Sequence, residues 1–379
     1  MIRSLLPFLL RHRHHHHHHH QTLTSYSTVT GRCWKKKKKH SNQTPPPDPA
    51  LLSHAISSLP PRFTPSDLSL ALSSLPDPRL APHLLSWAHH HHPRPSSLSP
   101  LPFLTTIKIL GRARLYDDLH SVASLALSLP IPLPEPLLNT IIYFYSESRM
   151  LFRALSVYNL MRDSPDPDVL PRPSLRTYNL LLSALLGPDR PSNSYIHHLY
   201  MDTLRALFRQ MLDASVSPDI ITLNFMIRGY VHSLHVNDAL RVFHQMVPVY
   251  NVEPDGNTYG YLVHGLCAQG RTRNAREMYG EMKEKGFRAS ERAGNSLVSA
   301  MAMGGEALEA VGVMWEVVGM GRRVDGLTAR TLVEGLCGEG RVREAEGLAR
   351  EMWEREVVDG RMYRELVDGI REEYGGSRG

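Results

Sequence analysis

Residues 220–255 read IITLNFMIRGYVHSLHVNDALRVFHQMVPVYNVEPD, and this stretch decides the fold. It holds two short amphipathic segments joined by a turn. In the second, Ala239, Phe243 and Met246 stand at i, i+4 and i+7, one apolar stripe along a helix. The stripe recurs as Ala275/Tyr279/Met282, Ala310/Met314/Val317 and Ala345/Ala349/Met352. Upstream it is written as Ala154/Tyr158/Met161 and Leu204/Phe208/Met211. Asp219, Asp255, Ser290, Asp325 and Asp359 close successive units at intervals of 36, 35, 35 and 34 residues. A period in this range marks a solenoid, because one helix pair cannot bury its apolar face without neighbours. The expected fold is all-α: a right-handed α-solenoid of about six or seven helix–turn–helix repeats.

Composition agrees. With 379 residues, 42% of them hydrophobic, the chain can bury a sizeable core, and no run of apolar residues is long enough for a membrane span. Of the three cysteines, Cys267 and Cys337 lie in the same phase of the repeat (GLCAQGR and GLCGEGR), which predicts packing positions rather than a bridge. Cys33 stands apart.

Charge is unevenly spread. Residues 1–47 hold nine Lys/Arg and no Asp or Glu, so of 43 basic and 37 acidic residues the rest of the chain keeps 34 and 37, a net of −3. A broadly basic surface is therefore not encoded in the body, and any nucleic-acid site there has to be local. The acid-free, Ser/Thr-rich start MIRSLLPFLLRHR… predicts an organellar targeting presequence over 1–47, mitochondrial in preference to plastid. The His14–His20 and Lys35–Lys39 runs fall inside it and are read as low-complexity tracts without a function of their own.

Residues 48–100 form a Pro/Ser-rich linker or degenerate helical cap by this reading, and 101–130 have a helix–turn–helix rhythm. The array proper begins near Glu135. The unit 175–219 is about ten residues too long, and GPDRPSNSYIHH (187–198) is expected to bulge out as a loop. Residues 360–374 are expected to close the array as a half-length helical cap. Gly270 and Gly340 stand where the first helix of a unit must stop.

Two helix-pair repeats have this length. Tetratricopeptide repeats carry a W…LG…Y pattern, absent here. What stands instead is TYNLLLSAL, NTYGYLVHGLCAQGRTRNAREMYGEMKEKGF and TARTLVEGLCGEGRVREAEGLAREM, which strongly resemble plant pentatricopeptide repeats over roughly residues 101–374. The chain resembles most the P-type, pure-repeat organellar branch. The resemblance implies binding of single-stranded organellar RNA, one base per repeat, read by a side chain of the first helix and by the residue closing the repeat. The pairs it points to are Asn139 with Ser174, Asn179 with Asp219, Asn224 with Asp255, and Asn295 with Asp325. Short amides and carboxylates suit a base's Watson–Crick edge. By the family's pattern Asn with Asp prefers uracil and Asn with Ser cytosine, so the implied footprint is pyrimidine-rich, near C-U-U-n-U. Gly260 with Ser290 and Arg330 with Asp359 depart from the pattern. Arg176, Arg292 and Ile221 are the residues implied to flank the bases. Each closing Asp also fits an ordinary helix N-cap.

Enzymatic chemistry has no support: HxE, PCxxC, GxxxxGK[ST], HExxH and GxSxG are all missing, and neither a metal nor a cofactor is expected. The implied role is post-transcriptional, with protein partners of the ribosomal, nuclease or splicing type. The rival reading is a protein-interaction scaffold such as a mitochondrial ribosome-associated subunit, towards which the acidic body leans.

Overall fold

The computed structural model describes residues 48–91, 99–129, 131–187 and 194–374, within which the chain forms eighteen α-helices, one short 3-10 turn and no strands. The segment read as a presequence, with His14–His20, Lys35–Lys39 and Cys33, lies outside the described residues. Among those described, no helix is long and apolar enough to cross a membrane. The helices gather into two compact units, one up to Pro173 and the other from Ser174.

The first unit holds α1 (Pro49–Ser57), α2 (Pro65–Ser73), α3 (Ala81–His91), α4 (Pro100–Arg112), α5 (Tyr116–Ser128), α6 (Glu135–Glu147) and α7 (Leu151–Asp163). The prolines of 48–100 start helices instead of breaking them. Pro49, Pro65 and Pro100 open α1, α2 and α4, where the missing N–H costs nothing and φ is already helical. Thr64 and Asp67 add a reciprocal capping box: the Thr64 hydroxyl accepts from Asp67 N–H at 3.2 Å and the carboxylate accepts from Thr64 N–H at 2.8 Å. Leu68 and Leu72 of α2 and Leu84 and Leu85 of α3 are buried.

The second unit holds α8 (Leu175–Leu185), α9 (Ser194–Asp213), α10 (Ile220–His232), α11 (Val236–Met246), α12 (Gly256–Ala268), α13 (Thr272–Glu284), α14 (Glu291–Met303), α15 (Ala307–Gly319), α16 (Gly326–Gly338), α17 (Val342–Glu354) and α18 (Gly360–Tyr374). From α10 on, the first helix of each pair packs against its own second helix and against the first helix of the next pair. The stripes read from sequence are the core: Ala275, Met282, Ala310, Met314, Ala345, Ala349 and Met352 have no exposed surface, and Tyr279 only 4%. Phe208 and Phe243 are half-buried at its edge. One continuous cluster then runs from Val236 to Ile370. Each fully buried side chain of this size contributes about 1.5–3 kcal/mol. Cys267 and Cys337 are buried in it, and burial pushes the Cys267 thiol up to about 12, so it packs as an apolar group.

The expected loop over 187–198 is corrected in part. Residues 194–198 belong to α9, which runs 20 residues against 11–13 for the other helices from α8 to α17. SYIHH follows Pro191 without a further Pro or Gly, so nothing stops the helix from extending backwards. Residues 188–193 lie outside the described set.

Each pair is punctuated by left-handed residues in fixed phase. Leu234, Gly270, Gly305 and Gly340 end the first helices, and Ser215, Asn251, Gly286, Gly321 and Glu356 end the second, all with φ between 53° and 80°. The turn is the same whether or not glycine is present, and a Cβ there costs about 1–2 kcal/mol. Close approach makes a different demand at Gly335 in α16, where a Cβ would sit 3.0 Å from the Ala302 carbonyl of α14. In urea unfolding of the intact chain, Gly270→Ala and Gly340→Ala are each expected to lower stability by about 1 kcal/mol, while Leu234→Gly raises it by up to about 1 kcal/mol.

Candidate nucleic-acid interface

The residues that close each unit are the N-caps of the helices that follow. Asp219, Asp255 and Asp325 accept from the backbone N–H of Thr222, Thr258 and Thr328 at 2.7–2.9 Å, and Ser290 accepts from Ala293 N–H at 3.3 Å. Such a cap contributes about 1 kcal/mol. Capping alone would leave the second face of each carboxylate unexplained.

In two units that face grips the preceding first helix. Asn179 of α8 donates Nδ2–H to both carboxylate oxygens of Asp219 at 3.2 Å. Asn224 of α10 donates to Asp255 Oδ1 at 3.1 Å. A threonine closes each triangle: Thr222 Oγ1 lies 2.7 Å from Asn179 Oδ1 and 2.8 Å from Asp219 Oδ1, and Thr258 Oγ1 lies 2.7 Å from Asn224 Oδ1 and 2.9 Å from Asp255 Oδ1. One hydroxyl proton serves two acceptors, so the triangle is polarised towards the carboxylate. Thr222 and Thr258 are fully buried, while the Asn and Asp are half-buried. Burial raises the Asp255 carboxyl, but Thr258 N–H, Asn224, the Thr258 hydroxyl and Asn257 outweigh it and hold the group below its ordinary range. Asn224 keeps one amide N–H and Asp255 keeps lone pairs: one donor beside one charged acceptor.

The other candidate pairs are arranged differently. Asn139, buried in α6, donates to Glu135 Oε1 at 2.8 Å, whereas Ser174 opens the second unit and its N–H donates to Thr177 Oγ1 at 3.3 Å. Asn295 of α14 donates to the Arg323 carbonyl at 3.2 Å rather than to Asp325, and its Oδ1 has no partner. There the Thr328 hydroxyl sits against Ser299 Oγ and the Asn295 carbonyl, so no hydroxyl bridges the amide to the carboxylate. Gly260 confirms the phase by its void: a Cβ there would lie 3.4 Å from Ser290 Oγ.

The flanking positions form an exposed row. Arg176 and Arg292 are exposed and Ile221 is 51% exposed; two residues past the caps in the other units, Asn257, Leu327 and Arg361 are exposed as well. Arg292 Nε donates to His264 Nε2 at 3.1 Å, which leaves the proton on Nδ1 to be donated to Ser296 Oγ at 2.6 Å. Burial, helped by the Arg292 charge, brings His264 down to about 4, so at neutral pH it is an uncharged brace for the arginine.

Sequence reasoning missed the threonines and His264. Thr177, Thr222, Thr258 and Thr328 recur three residues after the cap, so the signal was present in the period. His264 carries no such signal, since no other unit repeats it.

Comparisons with known proteins match this register. The pattern of the PPR repeat matches residues 137–165, 257–287 and 328–357, and that of the PPR repeat family matches 218–268. A mitochondrial pentatricopeptide repeat-containing protein of Arabidopsis thaliana is 47% identical over 232 residues, covering 61% of this chain and 51% of the relative. A second mitochondrial one from the same plant is 33% identical over 199 residues, covering 50% and 48%. The chain thus spans about half the length of these relatives. Among solved structures, the pentatricopeptide repeat protein PPR10 from maize is similar at a TM-score of 0.50 and 18% identity, over 87% of this chain and 52% of that one. PPR10 in complex with an 18-nt psaJ RNA element gives 0.52 and 22%, over 86% and 44%. At such identities the likeness shows the fold, a solenoid of helical repeats.

His264 supplies a pH test of this geometry. The unfolded chain takes up its proton near pH 6.5 and the folded chain only near pH 4, so stability falls as pH drops across that window. In urea unfolding at pH 7 and pH 5, His264→Gln is expected to lose less stability than the wild type, and Arg292→Ala to raise the imidazole midpoint followed by NMR.

Proposed function

We propose that this chain, a pentatricopeptide repeat protein, binds single-stranded RNA along the first helices of its repeats and acts in mitochondrial RNA metabolism. The observation that carries the reading is the pair of Asn–Asp–Thr triangles at Asn179/Asp219/Thr222 and Asn224/Asp255/Thr258, in the same phase and closed by the same threonine hydroxyl. A buried hydroxyl fixes each amide, and the remaining amide N–H beside a carboxylate lone pair complements the O4 and N3–H of uracil. Asn295 donates to the Arg323 carbonyl and its Oδ1 is buried without a partner, so at this position the amide has to turn outward before it meets a base. With nothing to read at Gly260, the second unit reads U-U-n-U. Arg176, Ile221, Arg292 and Leu327 stand between successive bases, where planar guanidinium or apolar side chains stack without regard to sequence.

Occupancy is the mechanism. A strand held extended cannot pair or be cut, so the protein stabilises, exposes or matures the RNA it covers, in the manner of the P-type branch and with enzymes or ribosomal partners supplying any chemistry. Two relatives named as mitochondrial and the acid-free start of the chain support the mitochondrial address, with residues 1–47 as presequence and 101–374 as array. The net −3 body favours a second reading, a protein-interaction scaffold.

Crosslinking of the tagged chain in purified mitochondria, followed by sequencing, is expected to recover transcripts sharing a pyrimidine-rich footprint. Asn179→Ala with Asn224→Ala is expected to erase the uracil preference at two positions, about tenfold each, with bulk affinity less affected. Recovery of ribosomal RNA alone, unchanged by the double substitution, would favour the scaffold. Gly260→Asn places the missing amide beside Ser290 and is expected to turn the indifferent position into one that prefers cytosine.

A further inference from the structure

Arg330 occupies in α16, five residues after the Asp325 cap, the place held by Asn179, Asn224, Gly260 and Asn295 in the earlier first helices. The closing residue of its own unit, Asp359, caps α18 through Met362 N–H at 2.7 Å. Arg330 turns instead to Glu365 of α18, donating Nη2–H to Oε2 at 3.1 Å. The other carboxylate oxygen accepts from Arg361 Nε at 3.1 Å. Both members of the pair keep access to solvent, 50% for Arg330 and 38% for Glu365. Beside them opens a hollow of about 190 Å³ whose walls include Val333, Cys337, Leu366 and Ile370.

We propose that Arg330 and Glu365 form a guanine-selective position that extends the RNA tract to U-U-n-U-G. The proposal rests on the RNA-binding reading above and adds a base and a residue to it. A guanidinium is a planar fork of five donors, and a carboxylate is a pair of parallel acceptors. Guanine is the base that presents two adjacent acceptors, O6 and N7, beside two adjacent donors, N1–H and N2–H. Arg330 meets the first pair and Glu365 the second. Uracil offers a single donor. Adenine and cytosine carry their donor hydrogens on one exocyclic nitrogen and cannot face both carboxylate oxygens in parallel.

Phosphate is the weaker occupant. Glu365 and Glu334 balance the charges of Arg330 and Arg361, so the site offers a backbone anion no net attraction while leaving directional donors and acceptors in place. A half-exposed ion pair contributes little by itself, so opening it for a base costs little.

The test uses the full chain and RNA oligonucleotides in which U-U-n-U is followed by each of the four bases, with affinity read by fluorescence anisotropy. Guanine is expected to bind about tenfold tighter than the others, the scale of one bidentate pair. Arg330→Lys keeps the charge and loses the fork, and Glu365→Gln loses the paired acceptor. Each is expected to erase the guanine preference and leave the uracil preferences intact. Inosine in place of guanine removes the N2 donors without touching the protein and is expected to weaken binding several-fold. Equal affinity for all four bases, with uracil preferences retained at Asn179 and Asn224, would overturn the guanine position and spare the RNA-binding reading. Loss of every base preference would overturn both. Saturation by guanosine monophosphate as tight as by the oligonucleotide would assign the hollow to a free nucleotide and overturn the proposal.

Discussion

Ala275, Tyr279 and Met282 are shut away from water because α12 lies along one side of α13 and α14 along another. Remove either neighbour and that stripe faces solvent, and the same holds at Ala310/Met314/Val317 and Ala345/Ala349/Met352. Burial in this chain is therefore a property shared between adjacent pairs. The left-handed residues after the helices of each pair, the alanine at the head of most stripes and the missing Cβ of Gly335 against Ala302 all serve that single requirement. They let one pair lie on the next at backbone distance. Polar rungs on the outside, Arg276 to Glu306 and Lys283 to Glu316, add alignment rather than much energy.

Against this packed frame the closing carboxylates do two jobs with one group. Asp219 and Asp255 start a helix through a backbone N–H and hold the amide of the first helix in the pair before it. Starting the helix fixes the carboxylate, and the fixed carboxylate fixes the amide. The Asn–Asp–Thr triangle is thus rigid because it is borrowed from the fold's own punctuation. Where the borrowing fails, as at Asn295 and Asp325, the difference lies in the threonine: Thr328 has turned its hydroxyl to Ser299 and the Asn295 backbone.

The repeats were legible because stacking writes itself into sequence as a period, and the caps and left-handed glycines fell where the period put them. Gly270 and Gly340 could be named from their neighbours alone. Leu234 could not, since leucine gives no sign of φ 62°. The N-terminal prolines left the choice between linker and helical cap open for a related reason. Proline announces a helix boundary without saying whether it opens or closes, and here it opens α1, α2 and α4. The candidate pairs were placed by position, and the structure brings Asn179 together with Asp219 and Asn224 together with Asp255. Side-chain direction at Asn295 and Arg330 depends on competitors from adjacent helices, the Arg323 carbonyl and Glu365. No local pattern encodes those competitors.

The fixed phase of the left-handed turns also bears on how such a chain changes its length over generations. From Asn251 onward the second helices end at Asn251, Gly286, Gly321 and Glu356, spaced by 35 residues throughout. A tandem duplication of one such stretch of coding sequence delivers a cap, two helices and both turns together. Each new junction joins surfaces that already know how to meet. The number of repeats can therefore grow or shrink by whole steps, while every retained step keeps its own packing. Recombination, more than point substitution, is the short route to a longer or shorter array for a molecule built this way.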